Sequence, residues 1–295
     1  MLRVNNLVGF GAQRRIPAPP LNSISADIAL GFRLLRTNYT GNCIRVRRSS
    51  DDAEADIGFA NGVLNETALM DHCGSGSGFI RTWYDQSSGT SRNATQVSPS
   101  LQPRIVNAGA IEKRNGRPCS VAVNTSSRLT ATITDVDGLT DLTLNAVGAT
   151  TFTGGSINDG SPAFMAIQED AAWGIVYMTP SASLIGWRFG TGEVDNNQVL
   201  SAGNVGTLLN IFTVQKQSGT ESARKNGLLV GTVTGRQTTL AGNTTELFIG
   251  SSLYDNTSIA GFVTSEILIH RAFLSASSAI RLERNQGAYF GITVI

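Results

Sequence analysis

Apolar and polar positions alternate over short stretches of this chain, and turn residues separate one stretch from the next. Cys43-Ile44-Arg45-Val46-Arg47 and Phe79-Ile80-Arg81-Thr82-Trp83-Tyr84 have period two and are rich in β-branched and aromatic side chains, so both predict strands. Between them, Asn65-Glu66-Thr67-Ala68-Leu69-Met70 reads as a short helix with Asn65 as its N-cap. From Arg104 onward, short strands follow at the spacing of a β-sandwich. They fall at Ser120–Val123, Leu139–Thr151, Ala163–Ile167, Gly174–Met178, Leu184–Phe189 and Leu208–Gln215, the last read as central. Asn115-Gly116 and Asn226-Gly227 supply turns, the second of hairpin type. Glu246–Gly250 and Ile259–His270 close the strand series, and a short helix ends near Tyr289–Ile292. The pattern predicts an all-β fold with short helices.

A chain of 295 residues could be one large sandwich or two small domains. No interior linker divides it, so residues 26–295 are expected to form one domain. Residues 1–25 differ: they are short, apolar and glycine-punctuated, and Ile16-Pro17-Ala18-Pro19-Pro20 should be extended. Such a segment is expected to be a docking arm, with Val4, Leu7, Val8, Phe10 and Ile16 as its apolar contacts. The alternative is an edge strand of the same sandwich.

Charge and cysteine content narrow the partners. A net charge of +1 gives no electrostatic case for nucleic acid, and no apolar run is long enough for membrane insertion. The N-terminus lacks the pattern of a secretory signal. Cys43, Cys73 and Cys119 cannot all pair with one another and fit no zinc spacing, so buried free thiols made in a reducing compartment are expected.

Candidate chemistry concentrates between Ala29 and Val106. Arg45, Arg47 and Arg48 precede Asp51, Asp52, Glu54 and Asp56, which predicts structural ion pairs; the acids lack calcium-loop spacing. Trp83, Tyr84, Asp85 and Gln86 are candidates for sugar contact, because an aromatic face stacks on a sugar ring while a carboxylate and an amide bond its hydroxyls. Trp187 is a weaker candidate of the same kind. The competing reading makes Trp83 a core residue and Asp85 the cap of the following turn. His72 and His270 neighbour no obvious nucleophile, and Gly74–Gly78 lacks the lysine of a phosphate loop. No cofactor or metal is expected.

Four motifs occur in one order: Arg33–Gly41 (R-L-L-R-x-x-Y-T-G), Arg45–Asp51 (R-V-R-R-x-S-D), Asp56–Phe59 (D-I-G-F) and Thr82–Ser87 (T-W-Y-D-Q-S). Together they resemble the first half of the β-sandwich domain of the fungal-type α-L-arabinofuranosidase B family. They resemble still more the non-enzymatic copies of that half in phage and prophage virion proteins. The tail, from Glu246 to Ile292, is similar to the closing strands and final helix of concanavalin A-like, laminin-G-like sandwiches. One concanavalin A-like jelly roll is the fold these resemblances imply.

A retaining glycosidase needs two carboxyl groups roughly 5–5.5 Å apart. In the arabinofuranosidase family the nucleophile lies in a context like M-E-A-I-Y-F, and its glutamate position falls here on Gly174. The acid/base position meets Asp255 only after a loop shift; Glu169, Asp170 and Glu193 could serve as nucleophile under another register. The family's cysteine pair also fails, since Gly78 stands opposite Cys73. The resemblance therefore implies no catalytic residue and no enzyme. It implies a bacteriophage virion protein of tail, baseplate, fibre or capsid decoration, assembled in the host cytoplasm. Other virion proteins would hold its arm, copies would form a homo-oligomer, and host surface glycan would be a further partner. The alternatives are a carbohydrate-binding module and an active arabinofuranosidase-like hydrolase.

Overall fold

The computed structural model describes residues 16–89, 92–124, 126–133, 136–150, 164–168, 176–180, 184–189, 198–201, 207–240, 246–250 and 262–295. Antiparallel strands form two runs that face each other across one core. The first run passes, strand by paired strand, through Glu54–Ile57, Ile44–Arg48, Gly78–Trp83, Ala94–Thr95, Leu129–Thr132, Glu246–Ile249, Met165–Gln168, Val176–Pro180, Leu184–Phe189 and Gln198–Ser201. The second is built on Phe262–His270. Ile28–Gly31 and Ser120–Val121 pair with one edge of that strand, and Asp141–Thr150 with the other. Asn210–Gln217, Thr220–Lys225 and Leu228–Val233 extend the run beyond Asp141–Thr150. Arg104–Asn107 joins the runs, pairing with Gly78–Trp83 and with Ser120–Val121.

The core contains residues from both runs. Ile44, Ile80, Trp83, Leu129, Ile167 and Leu247 from the first meet Leu30, Leu144, Phe212, Val214, Ile267 and Ile269 from the second. The all-β sandwich expected from the alternation is the observed fold. Asn210–Gln217 is interior, as expected for the central strand, because it pairs on both sides. Both Asn-Gly turns are present, with φ of 50° and 72° at Asn115 and Gly116 and of 50° and 91° at Asn226 and Gly227.

Helix α1, Glu66–Cys73, starts where its cap was expected: the Asn65 side-chain oxygen accepts the Ala68 N–H at 3.1 Å. Helix α2, Ala276–Phe290, is longer than its sequence pattern suggested. Its buried face includes Glu283 and Gln286 beside Leu282 and Phe290, so the apolar stripe is broken. The sheet face beneath is polar in the same way. Gln286 and Asn145 exchange amide hydrogen bonds, and Thr213 donates to Glu283 at 2.8 Å.

The N-terminal boundary differs from the expectation. Leu21, Ile24 and Ala26 pack with Leu35, Leu268, Leu274 and Leu282, and the Asn285 amide donates to the Ala18 carbonyl at 2.7 Å. Residues 20–25 therefore belong to the sandwich rather than to a separate arm, because Leu21 and Ile24 find an apolar surface beside helix α2. Ile16 is exposed. Val4, Leu7, Val8 and Phe10 lie outside the described residues.

Candidate carbohydrate-binding groove

The pairing of Arg45 with Thr82 and of Val46 with Ile80 leaves Arg81 as an extra residue on Gly78–Trp83, a bulge that breaks the alternation and lets both Ile80 and Trp83 face the core. Thr82 and Tyr84 then fall on the outer face of the sheet. Register places Arg45 opposite both Asp56 and Thr82, and Thr82 opposite Thr95. Here a groove of about 530 Å³ opens, lined by Arg45, Glu54, Arg81, Thr82, Tyr84, Asn93, Thr95 and Val97. Tyr84 is half-buried and donates its hydroxyl to Asp56 Oδ1 at 2.7 Å. Burial, reinforced by that bond and by the charge of Asp56, raises the phenol pKa, so Tyr84 is a neutral donor.

Charges in the groove are mutually committed. Arg45 Nε donates to Glu54 Oε2 at 2.7 Å and its Nη1 lies 3.8 Å from Asp56; Arg81 Nε lies 3.6 Å from Glu54. Next to the groove, Arg47 bonds Asp52 at 2.6 Å and Arg48 pairs with Asp51 at 2.7 Å. The arginine and acid runs thus meet as the structural ion pairs their spacing suggested. The Arg48 guanidinium holds the Asp51 carboxyl well below the usual carboxylate range.

Of the five residues expected to contact sugar, only Tyr84 lines this groove. Trp83 is fully buried and stacks on Phe32, with ring centroids 4.5 Å apart and planes 14° from parallel, so its face is unavailable to a ligand. Asp85 is buried and acts as a turn cap: Oδ1 accepts from Ala29 N and Ser87 N, and Oδ2 from Ser87 Oγ and Arg92 N. Gln86 is buried too; its amide donates to Gly31 and Arg33 carbonyls and accepts from Leu35 N. Trp187 is buried with its indole N–H donated to Glu221 at 3.0 Å. These four are corrected to structural residues, for one reason: each spends its polar atoms or its ring on the fold.

Arg81, Asn93, Thr95 and Val97 were not singled out in the sequence. Their placement depends on the pairing of Thr82 with Thr95, across a loop whose length hides the register. The only signal was that Arg81 and Thr82 are adjacent polar residues between Ile80 and Trp83, which breaks strict alternation.

Cys43, Cys73 and Cys119 are free and buried, as expected. A Cβ built on Gly78 would lie 2.6 Å from Cys73 Sγ, so the fold demands glycine there. His270 is buried, with Nδ1 2.5 Å from the Ser25 carbonyl, and burial lowers its pKa. Among the described residues no cluster of three or more histidine, cysteine or acidic side chains is arranged to hold a metal. Gly174, Glu169, Asp170, Glu193 and Asp255 lie outside the described residues.

No protein-family model matches the sequence, and no curated protein matches it. Solved structures do match in fold. A GH54 α-L-arabinofuranosidase soaked with a cyclic sulfate inhibitor is 16% identical, with a TM-score of 0.63, covering 92% of this chain and 64% of its own. An arabinofuranosidase complexed with arabinofuranosyl-α-1,2-xylobiose is 17% identical, with a TM-score of 0.63 and the same coverage. The chain thus spans about 64% of the length of these proteins, and at this identity the likeness is one of fold. The expectation of a non-enzyme is corrected by this finding: the structures it is similar to are glycosidases, and the positions at which carboxylates were read as lost are outside the described residues.

Proposed function

We propose that this chain is a carbohydrate-recognising sandwich that holds sugar in the groove beside Tyr84. The carrying observation is the half-buried Tyr84 ring, oriented by Asp56 at 2.7 Å and flanked by carboxylates, hydroxyls and an amide. An aromatic ring offers its face to the C–H side of a sugar, and the surrounding polar groups match ring hydroxyls. The arabinofuranosidase-like fold supports the same ligand class.

Calorimetric titration of the full chain with arabinofuranosyl-α-1,2-xylobiose, followed by a glycan array, tests the reading. Binding that falls at least tenfold in Tyr84→Ala is expected. Silence across the array, or binding indifferent to Tyr84→Ala, contradicts it. An aryl arabinofuranoside assay on the same sample asks whether hydrolysis accompanies binding.

A virion surface is the setting we propose for this recognition, with the N-terminal segment docked on other virion proteins and copies arranged as a symmetric oligomer. The ordered motifs at Arg33–Gly41, Arg45–Asp51, Asp56–Phe59 and Thr82–Ser87 support it. Cryo-electron microscopy of purified particles would find the sandwich in place; its absence from particles contradicts the setting while leaving the groove untouched.

A further inference from the structure

We infer that the Tyr84 groove takes an uncharged run of linked sugars lying across the strands, an inference that rests on the binding reading above. Two observations carry it, one of shape and one of charge.

The groove walls come from four successive strands of one sheet. Glu54 stands on Glu54–Ile57, Arg45 on Ile44–Arg48, Arg81 and Thr82 on Gly78–Trp83, and Thr95 on Ala94–Thr95. Three inter-strand spacings span roughly 14 Å, the reach of about three linked sugar rings. Register sets Asp56, Arg45, Thr82 and Thr95 in one row, and the row continues to Thr130 on the next strand. Its sides are open: the Arg45, Glu54 and Asp56 side chains keep 43%, 31% and 37% of their exposure. The lining is drawn from all four strands, so a run of sugars can lie along the row as far as Thr95.

Two guanidinium groups face two carboxylates here, so the local charge sums to zero. Arg45 is bonded to Glu54 and faces Asp56, and Arg81 faces Glu54. A uronate or sialate carboxylate approaching either arginine would come within reach of Glu54 or Asp56, a like charge. At Arg45 it would have to displace the bond to Glu54, and at Arg81 it would meet the Glu54 carboxylate that already faces that guanidinium at 3.6 Å. Neutral hydroxyls meet no such penalty, and can accept from the arginines and donate to the carboxylates without breaking the pairs.

The test is a calorimetric chain-length series on the full chain at low salt. Xylo- and cello-oligosaccharides of one to five units serve as neutral probes and trigalacturonate as the acidic one. Affinity should climb with each unit to about three, then level off, and trigalacturonate should bind at least tenfold more weakly than the best neutral trimer. A monosaccharide that binds as tightly as the trimers, or trigalacturonate that matches them, overturns this inference while the binding reading stands. Silence from both probe classes overturns it together with that reading if the array is also silent. As a second variant, Glu54→Gln removes the carboxylate facing both arginines. It should raise the trigalacturonate-to-trimer affinity ratio at least fivefold, and an unchanged ratio overturns the charge argument.

Discussion

The Tyr84 hydroxyl donates to the Asp56 carboxylate at 2.7 Å, tying the end of one strand to the outer edge of a strand two places away in the sheet. That bond fixes the ring without using its face. Tyr84→Phe should therefore keep glycan affinity within a few-fold of the parent, whereas Tyr84→Ala should lose about 1.4 kcal/mol or more, a tenfold drop. Titration of both variants checks this. Equal losses would place the binding contribution on the hydroxyl rather than on the ring.

Arg33 and Glu266 form a buried bidentate pair, Nε to Oε2 at 2.7 Å and Nη2 to Oε1 at 3.2 Å, with Gln286 of helix α2 donating to the same carboxylate at 3.0 Å. Arg33→Met leaves an uncompensated buried charge and should destabilise by about 3–5 kcal/mol. Replacing both partners, with Arg33→Met and Glu266→Leu, should recover part of that loss. Urea unfolding of the two variants measures the difference, and an additive loss would contradict the coupling.

Gly78 sits where a Cβ would meet Cys73 Sγ at 2.6 Å and Val46 Cγ1 at 3.1 Å. Gly78→Ala should cost about 1–3 kcal/mol through overpacking. Adding Cys73→Ala removes the nearer obstacle and should relieve part of the strain. Thermal unfolding of the single and double variants tests this; no relief would assign the clash to Val46.

His270 makes stability depend on pH. Burial outweighs the Ser25 carbonyl and Asp27 in setting its pKa below the ordinary value, so the folded chain holds this proton less tightly than the unfolded one. Its contribution is complete above the unfolded value of about 6.5 and falls as pH drops below it toward the folded pKa. Urea midpoints at pH 7.5 and 5.5 should differ more in the parent than in His270→Gln. Equal differences would show that His270 does not carry the effect.

Strand positions were legible at Ile44–Arg48 and Gly78–Trp83, where one face of the strand meets the core and the other meets polar surroundings. Ile28–Gly31 was not foreseen because all four of its residues are buried and no alternation survives. Helix α2 read short because Glu283 and Gln286 point into a buried polar layer where a periodicity argument expects leucine. The site was legible in part. Aromatic and amide residues marked the stretch at Trp83–Gln86, yet local sequence carries no sign that Trp83 finds Phe32 or that Asp85 finds Ala29, contacts of 51 and 56 residues' separation. The groove itself depends on the pairing of Thr82 with Thr95, a long-range property.

The most direct test of the Tyr84 groove is to titrate isotope-labelled protein with a neutral trisaccharide, xylotriose first, and follow backbone amide shifts. The account predicts saturating changes clustered at Arg45, Thr82, Tyr84 and Thr95, one position on each of three adjacent strands and one at a strand end. Saturating changes that map elsewhere and leave these amides unmoved would contradict it.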